Sequence, residues 1–365
     1  MRNVRSKKRT ALLFLLTAVL VLIILLLVNN KTAPKSSFIM EGRNKLAVAG
    51  EVAAVSNSSS IVYCVKDLLI EVQEENMRVK NIKGNVTWSQ KLPGKIVNLA
   101  EAGEGIVIID SQNNINYYTP QGKLLWNYKS PYEIIDMFTE DNGSFLVEYK
   151  GMTGSHAEIF TKNGSKIGSI SVENAHVLSF TTGTDSFSIS VLDTSADSIK
   201  TKIITYNFKG DILWAKNFDN TIVSRLNYSK SNKLIVFGED MVYVYKSDGS
   251  LQEEVKPEGD IRNAAMNDYI VSIAMQDRGK QYLACYDPNM REQSRIEIEA
   301  VPSGIFPLKN SLILYYNDEL LVITPKGELL ARYKSNTDIS SVYMTQDNKV
   351  YLVSNRKLQL LEYIK

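Results

Sequence analysis

The chain has 365 residues, with 42 Lys and Arg against 40 Asp and Glu, 44% hydrophobic residues, two His and two Cys. A formal charge of +2 with no basic stripe interleaved with aromatics argues against nucleic acid as a partner. The histidines and cysteines are scattered and form no cluster at metal-ligand spacing, and there is no Gly-x-Ser-x-Gly elbow.

In chain order, the first predicted element is a membrane helix. Residues 1–10 are a basic tail carrying Arg2, Arg5, Lys7, Lys8 and Arg9, and residues 11–28 are eighteen positions with no charge and one polar residue, Thr17. At about 1.5 Å per residue such a helix is about 27 Å long, enough to cross a bilayer core. Five bases before it against Lys31 and Lys35 after it predict a cytoplasmic N-terminus and an extracytoplasmic remainder. A cleaved signal peptide is the competing reading, but its apolar region is usually about 7 to 15 residues and is followed by small residues. Here Asn29-Asn30-Lys31 follows, and no cysteine stands near the end of the run to make a lipoprotein. The expectation is therefore an uncleaved, single-pass signal-anchor in the cell membrane. Residues 29–44 read as a polar linker that reaches at most about 50 Å. Without the five leading bases the chain has 37 positive against 40 negative side chains, so the rest is close to neutral.

From residue 45 to 365 the sequence repeats. All three tryptophans stand four residues after a glycine: Gly84 and Trp88, Gly122 and Trp126, Gly210 and Trp214. Gly164, Gly249 and Gly327 open similar segments without the tryptophan. The intervals from Gly84 through Gly249 are 38, 42, 46 and 39 residues, and the 78 from Gly249 to Gly327 is two periods. The intervening turn is expected at Asp287-Pro288-Asn289, with asparagine taking the left-handed conformation. A period near 40 built from short alternating stretches such as Met241 to Tyr245 and Val350 to Val353 is the pattern of propeller blades rather than of helical repeats.

One unit reads as strand a at Ile96 to Leu99, strand b at Ile106 to Ile109, strand c at Ile115 to Thr119 and strand d at Leu124 to Tyr128. The glycine is then the c–d hairpin turn, and the tryptophan of strand d is expected to wedge against the neighbouring blade as a structural, blade-docking residue. Tyr118, Phe160, Tyr206 and Tyr245, each four residues before a turn glycine, form a matched aromatic position on strand c. After the seventh turn three strands remain, Ile339 to Met344, Val350 to Val353 and Leu358 to Tyr363. The fourth is expected from Leu46 to Val55, closing an all-β, eight-bladed propeller and removing an exposed edge. Seven blades is the alternative if the stretch before Gly84 pairs differently.

These residues resemble the quinoprotein-type, PQQ-like β-propeller repeats, whose units end in a Gly-Lys-x-x-Trp segment; Gly122-Lys123-Leu124-Leu125-Trp126 matches it best. The resemblance runs from about residue 45 to 365 and is greatest to uncharacterised single-pass propeller proteins of Gram-positive bacteria. The propeller of outer-membrane assembly lipoproteins is a more distant likeness. Enzymatic members of the superfamily carry an acidic residue four positions before the glycine, where this chain has Tyr118, Tyr206 or Tyr245.

Cys64 in the first blade and Cys285 in the sixth are expected to stay unbridged, because a disulfide needs Cα atoms within about 7 Å. His176 opens an inner strand, and the plain expectation is a histidine satisfied by neighbouring polar groups. No catalytic, metal or cofactor-binding residue is singled out, so a non-enzymatic interaction scaffold at the bacterial cell envelope, with an envelope protein as partner, is the leading expectation. Candidate contacts are the d–a connections Leu92-Pro93-Gly94, Ser130-Pro131-Tyr132, Asp219-Asn220, Pro257-Glu258-Gly259 and Pro302-Ser303-Gly304. A sensor of a ligand or cell-wall polymer is the alternative, with a quinone-dependent oxidoreductase behind it.

Overall fold

The computed structural model describes residues 44–54, 61–65, 68–81, 83–151, 154–195, 198–344, 349–355 and 357–364. The expected basic tail, membrane helix and all but the last residue of the linker lie outside these. Among the described residues no helix is long and apolar enough to cross a membrane.

Among the described residues, thirty-two strands make eight four-stranded antiparallel blades. Blades 1 to 7 take residues 61–91, 96–129, 134–173, 175–219, 225–255, 260–298 and 304–334 in unbroken a–b–c–d order. Blade 8 has strands a to c at Ile339–Met344, Val350–Ser354 and Lys357–Ile364, and its outer strand is Asn44–Ala54 from the start of the propeller. That closing strand runs antiparallel to Lys357–Ile364, pairing Lys45 with Ile364 and Ala54 with Lys357. Its first residues also pair in parallel with strand d of blade 7, Asn44 with Ala331 and Lys45 with Arg332. The ring is closed by the two ends of one chain, with eight blades rather than seven.

Burial follows from position in the blade. Strand b lies between a and c and is covered on both faces by adjacent blades, so its sequence is a continuous apolar run: all six residues of Gly105–Asp110 and all four of Leu234–Phe237 are buried. Strand d has one outer edge and one outer face, and in Leu124–Lys129 only Trp126 and Tyr128 turn inward. Strands a of neighbouring blades lie against one another, which puts them around the central channel.

The c–d hairpins share one geometry. In blade 2 the Gly122 amide donates to the Thr119 carbonyl at 2.9 Å, the Thr119 amide to the Lys123 carbonyl at 2.9 Å, and the pairing then slips by one residue between Tyr117–Trp126 and Tyr118–Leu124. This is a type I turn followed by a left-handed residue and a bulge. The left-handed position is glycine in six turns, with φ of 78° at Gly84, 85° at Gly122, 80° at Gly164, 89° at Gly210, 79° at Gly249 and 88° at Gly327. In blade 6 it is Met290, with φ of 60°, and not Asn289 as the sequence suggested. The left-handed residue of this turn is its fourth, one beyond asparagine, whose amide instead donates to Asp287 Oδ1 at 2.8 Å.

Candidate functional site: blade junctions, channel and rim

The slip in every c–d pair places a defined position of strand d over the next blade's c–d turn. In blades 1 to 7 that position holds Trp88, Trp126, Gly168, Trp214, Glu253, Ser294 and Ala331. Where it is tryptophan, three contacts recur. The ring packs on the strand c aromatic of the following blade, stacked for Trp88–Tyr118 and Trp126–Phe160 with centroids 5.7 and 6.1 Å apart and tilted for Trp214–Tyr245 at 5.6 Å. The indole Nε1 donates to the carbonyl of the second turn residue, at 2.9 Å to Pro120, 2.9 Å to Lys162 and 3.1 Å to Ser247. The ring also covers the turn glycine, so that a Cβ on Gly122 would lie 2.5 Å from Trp88, one on Gly164 2.9 Å from Trp126 and one on Gly249 2.6 Å from Trp214.

Where the tryptophan is missing, the neighbouring blade changes with it. Gly168 occupies the slot of blade 3, and a Cβ on Gly210, over which it sits, would meet nothing within 4 Å. Tyr206 stacks within its own blade on Phe187 at 5.1 Å, with Phe208 packed beside it. In blade 5 the slot is Glu253, and the turn it faces holds the buried Met290 instead of glycine. The Ser294 hydroxyl of blade 6 donates to the Pro325 carbonyl, the bond an indole makes elsewhere, while Ile296 covers Gly327. All three tryptophans thus sit on outer strands with their polar atoms engaged. They do not form a stacking platform in the channel for a quinone.

Two charged groups of different blades influence each other although spacing in the sequence does not reveal it. Glu140 lies in the a–b turn of blade 3 and Arg225 opens strand a of blade 5, with blade 4 between them. Burial pushes the Glu140 carboxyl up to about 7, Asp141 adding to the rise; the Thr181 hydroxyl and the Arg225 charge pull the other way. Burial also lowers the Arg225 pKa, with Glu140 opposing. The Arg225 guanidinium donates to Asn227 Oδ1 at 3.0 Å and to the Ala264 carbonyl of blade 6. Beside it a pocket of about 570 Å³ is lined by Ser224, Arg225, Glu239, Arg262 and Asn263 among others.

Both histidines, His156 in strand c of blade 3 and His176 in strand a of blade 4, meet buried carboxylates. His176, at the start of strand a of blade 4, has Nδ1 3.4 Å from Glu148 Oε1, which also accepts the Val177 amide at 3.2 Å. His156 lies 3.8 Å from Glu158, which accepts from the Tyr149 hydroxyl at 3.0 Å and Lys166 Nζ at 2.9 Å. These are satisfied buried carboxylates, and among the described residues no three His, Cys, Asp or Glu side chains converge as a metal site. Cys285 is free and buried, its thiol pushed up to about 11 by burial; the side chain of Cys64 lies outside the described residues.

On the rim, a groove of about 510 Å³ separates the outer strands of blades 6 and 7 near their d–a and b–c loops. Its walls carry Glu297, Glu299, Asp318 and Glu319 with Arg332 and Lys334, around Tyr316 and Leu321. Arg332 Nε pairs with Glu319 at 2.7 Å and Lys334 with Asp318 at 2.8 Å. Burial, then Glu319 and Glu299, raise the Tyr316 phenol to about 12. Of the d–a connections singled out in the sequence, Pro302-Ser303-Gly304 follows Glu299 and Ala300 of this groove, and Glu258 binds Arg295; the other three lie elsewhere around the ring.

The architecture is that of an eight-bladed β-propeller. The chain belongs to a family of unknown function (DUF5711), whose model matches residues 43–362. No curated protein matches it in sequence. Solved structures share the fold at low identity. The computationally designed Ika8 protein has a TM-score of 0.64 at 12% identity, covering 86% of this chain and 99% of that one. BamB from Moraxella catarrhalis has 0.56 at 9%, covering 87% and 98%. A europium-containing methanol dehydrogenase has 0.52 at 12%, covering 84% of each chain.

Proposed function

We propose that this protein is a membrane-anchored, extracytoplasmic and non-catalytic scaffold that binds a protein partner at the cell envelope. The observation carrying the reading is the groove between blades 6 and 7, lined by four acids, Glu297, Glu299, Asp318 and Glu319, and two bases, Arg332 and Lys334, around Tyr316 and Leu321. A polypeptide segment matches such a surface, with charged side chains meeting the paired ions and an apolar residue on the Tyr316 ring. The rigid ring supports it: side chains that would otherwise suggest chemistry, the tryptophans and buried glutamates, are engaged within and between blades. A photo-crosslinking residue replacing Tyr316 in living cells should yield one recurring protein adduct that the same residue at Asn85, on the other end of the disc, does not. Adducts equal at both positions, or none, would sink the proposal.

The channel favours a second reading, a ligand sensor. The pocket of about 570 Å³ beside Arg225 offers Arg225, Arg262, Glu239 and Asn263 to a small polar molecule. A thermal shift with a small anion such as citrate, abolished by Arg262→Gln, would support it.

A further inference from the structure

The direction of the closing strand orients the disc. Asn44 pairs with Ala331, four residues after the turn glycine Gly327, and Lys45 pairs with Ile364, near the end of the last strand. Both ends of the propeller therefore emerge on the face that carries the c–d and a–b turns. The d–a and b–c loops, and the mouth of the blade 6–7 groove, lie on the opposite face. We propose that the c–d turn face docks on an anionic lipid surface. This rests on the anchor reading of residues 11–28, which tethers the chain at that face through a linker of about 50 Å at full stretch.

Two features of that face fit lipid headgroups. Each of the seven c–d turns carries one basic side chain, Lys83, Lys123, Lys162, Lys209, Lys246, Arg291 and Lys326, all exposed, against four acids, Asp211, Asp248, Asp287 and Glu328. The described b–c turns at the other end are of opposite sign, with Glu74, Glu75, Glu239, Asp240 and Asp318 against Arg278 alone. Next to the bases, the first residues of strand d expose apolar side chains to water: Val86 by 55%, Leu125 by 49%, Ile212 by 62%, Leu213 by 50% and Leu251 by 46%. Alternating lysines and aliphatic side chains on one rim form an interfacial belt, in which the aliphatics enter the headgroup region and the lysines meet phosphates. The a–b turns of the same face carry Glu104, Glu140, Asp141, Asp185 and Asp268 against Lys230, Lys233 and Lys309, so the face as a whole is close to balanced; the loop face opposite is acidic, and its repulsion from an anionic surface turns the disc the same way. The groove is then directed away from the membrane, where a partner can reach it.

The test uses the full chain in liposomes, with one environment-sensitive fluorophore attached through Leu125→Cys or, separately, Glu239→Cys, and nitroxide-labelled lipid headgroups as quencher. Resistance of the chain to alkaline extraction is measured first. If the protein is extracted, the anchor reading has failed and orientation is lost with it. If it is retained, the label at 125 should be quenched at least threefold more than that at 239 in bilayers containing anionic lipid. The difference should fall by half or more in purely zwitterionic bilayers, and with Lys83, Lys123, Lys162 and Lys209 all changed to Gln. Equal quenching at the two sites, or stronger quenching at 239, in a retained protein overturns the docking while leaving the anchor intact.

Discussion

Two glycines with the same backbone and different neighbours isolate what a docked tryptophan contributes. Gly122 and Gly210 both sit at the left-handed position of a c–d turn, with φ of 85° and 89°. Alanine at either should cost about 1 to 2 kcal/mol for holding an L-residue there. At Gly210 nothing lies within 4 Å of the new Cβ, so that is the whole effect. At Gly122 the Cβ would stand 2.5 Å from Cδ2 of Trp88. The ring must move, weakening the stack on Tyr118 at 5.7 Å and the bond to the Pro120 carbonyl at 2.9 Å. Those two interactions are worth about 1 kcal/mol each, and overpacking adds about 1 to 3 kcal/mol. Gly122→Ala should therefore cost about 4 to 7 kcal/mol in all. At about 2 °C per kcal/mol for a domain of this size, melts followed by circular dichroism should fall by about 2–4 °C for Gly210→Ala and about 8–14 °C for Gly122→Ala. Adding Trp88→Ala to Gly122→Ala should cost less than the sum of the two single changes, since each disrupts the same contact. Equal losses from the two glycine variants, or strict additivity in the pair, would refute the docking geometry.

Further outcomes follow from the same structure. Trp126→Ala, which removes stacks on Tyr117, Phe145 and Phe160 and the bond to the Lys162 carbonyl, should cost about 3 to 5 kcal/mol by thermal or denaturant unfolding. Glu140 keeps its proton in the folded state up to about pH 7, whereas the unfolded chain loses it near 4.5. Its contribution is greatest at low pH and declines as pH rises between those values. Glu140→Gln should thus gain on the parent over that window, by about 1 to 2 kcal/mol after allowance for partial exposure, in melts recorded from pH 4.5 to 8. A constant offset between the two curves would contradict this. Cys285, with its thiol raised to about 11, should resist alkylation at pH 8 in the native protein and react after unfolding, as read by peptide mass mapping.

The architecture was legible because its determinants are local. A turn glycine at a fixed phase, alternating strands and a three-stranded remainder at the C-terminus specify repeat, blade and closure without any knowledge of tertiary contacts. The exceptions arise where one blade's side chain depends on another's. Met290 takes the left-handed position although asparagine precedes it, and its side chain is buried in the core that blades 5 and 6 share. Ser294 does the work of an indole N–H only because strand pairing sets it over Pro325. Glu140 and Arg225 act on each other electrostatically from blades 3 and 5, across an intervening blade, a relation no spacing encodes. The groove between blades 6 and 7 joins residues from the b–c turn of one blade and the outer strand of another, so its charges looked like ordinary solvated side chains in the sequence.

Recovery of the tagged full chain from washed membranes, in the parent and in a variant with Arg332→Glu and Lys334→Glu in the groove, tests the scaffold proposal most directly. The account predicts that both chains stay in the membrane pellet, and that one protein co-purifies in near-equal amount with the parent and is lost from the variant. Recovery of the parent in the soluble fraction, or an unchanged set of co-purifying proteins in the variant, would contradict it.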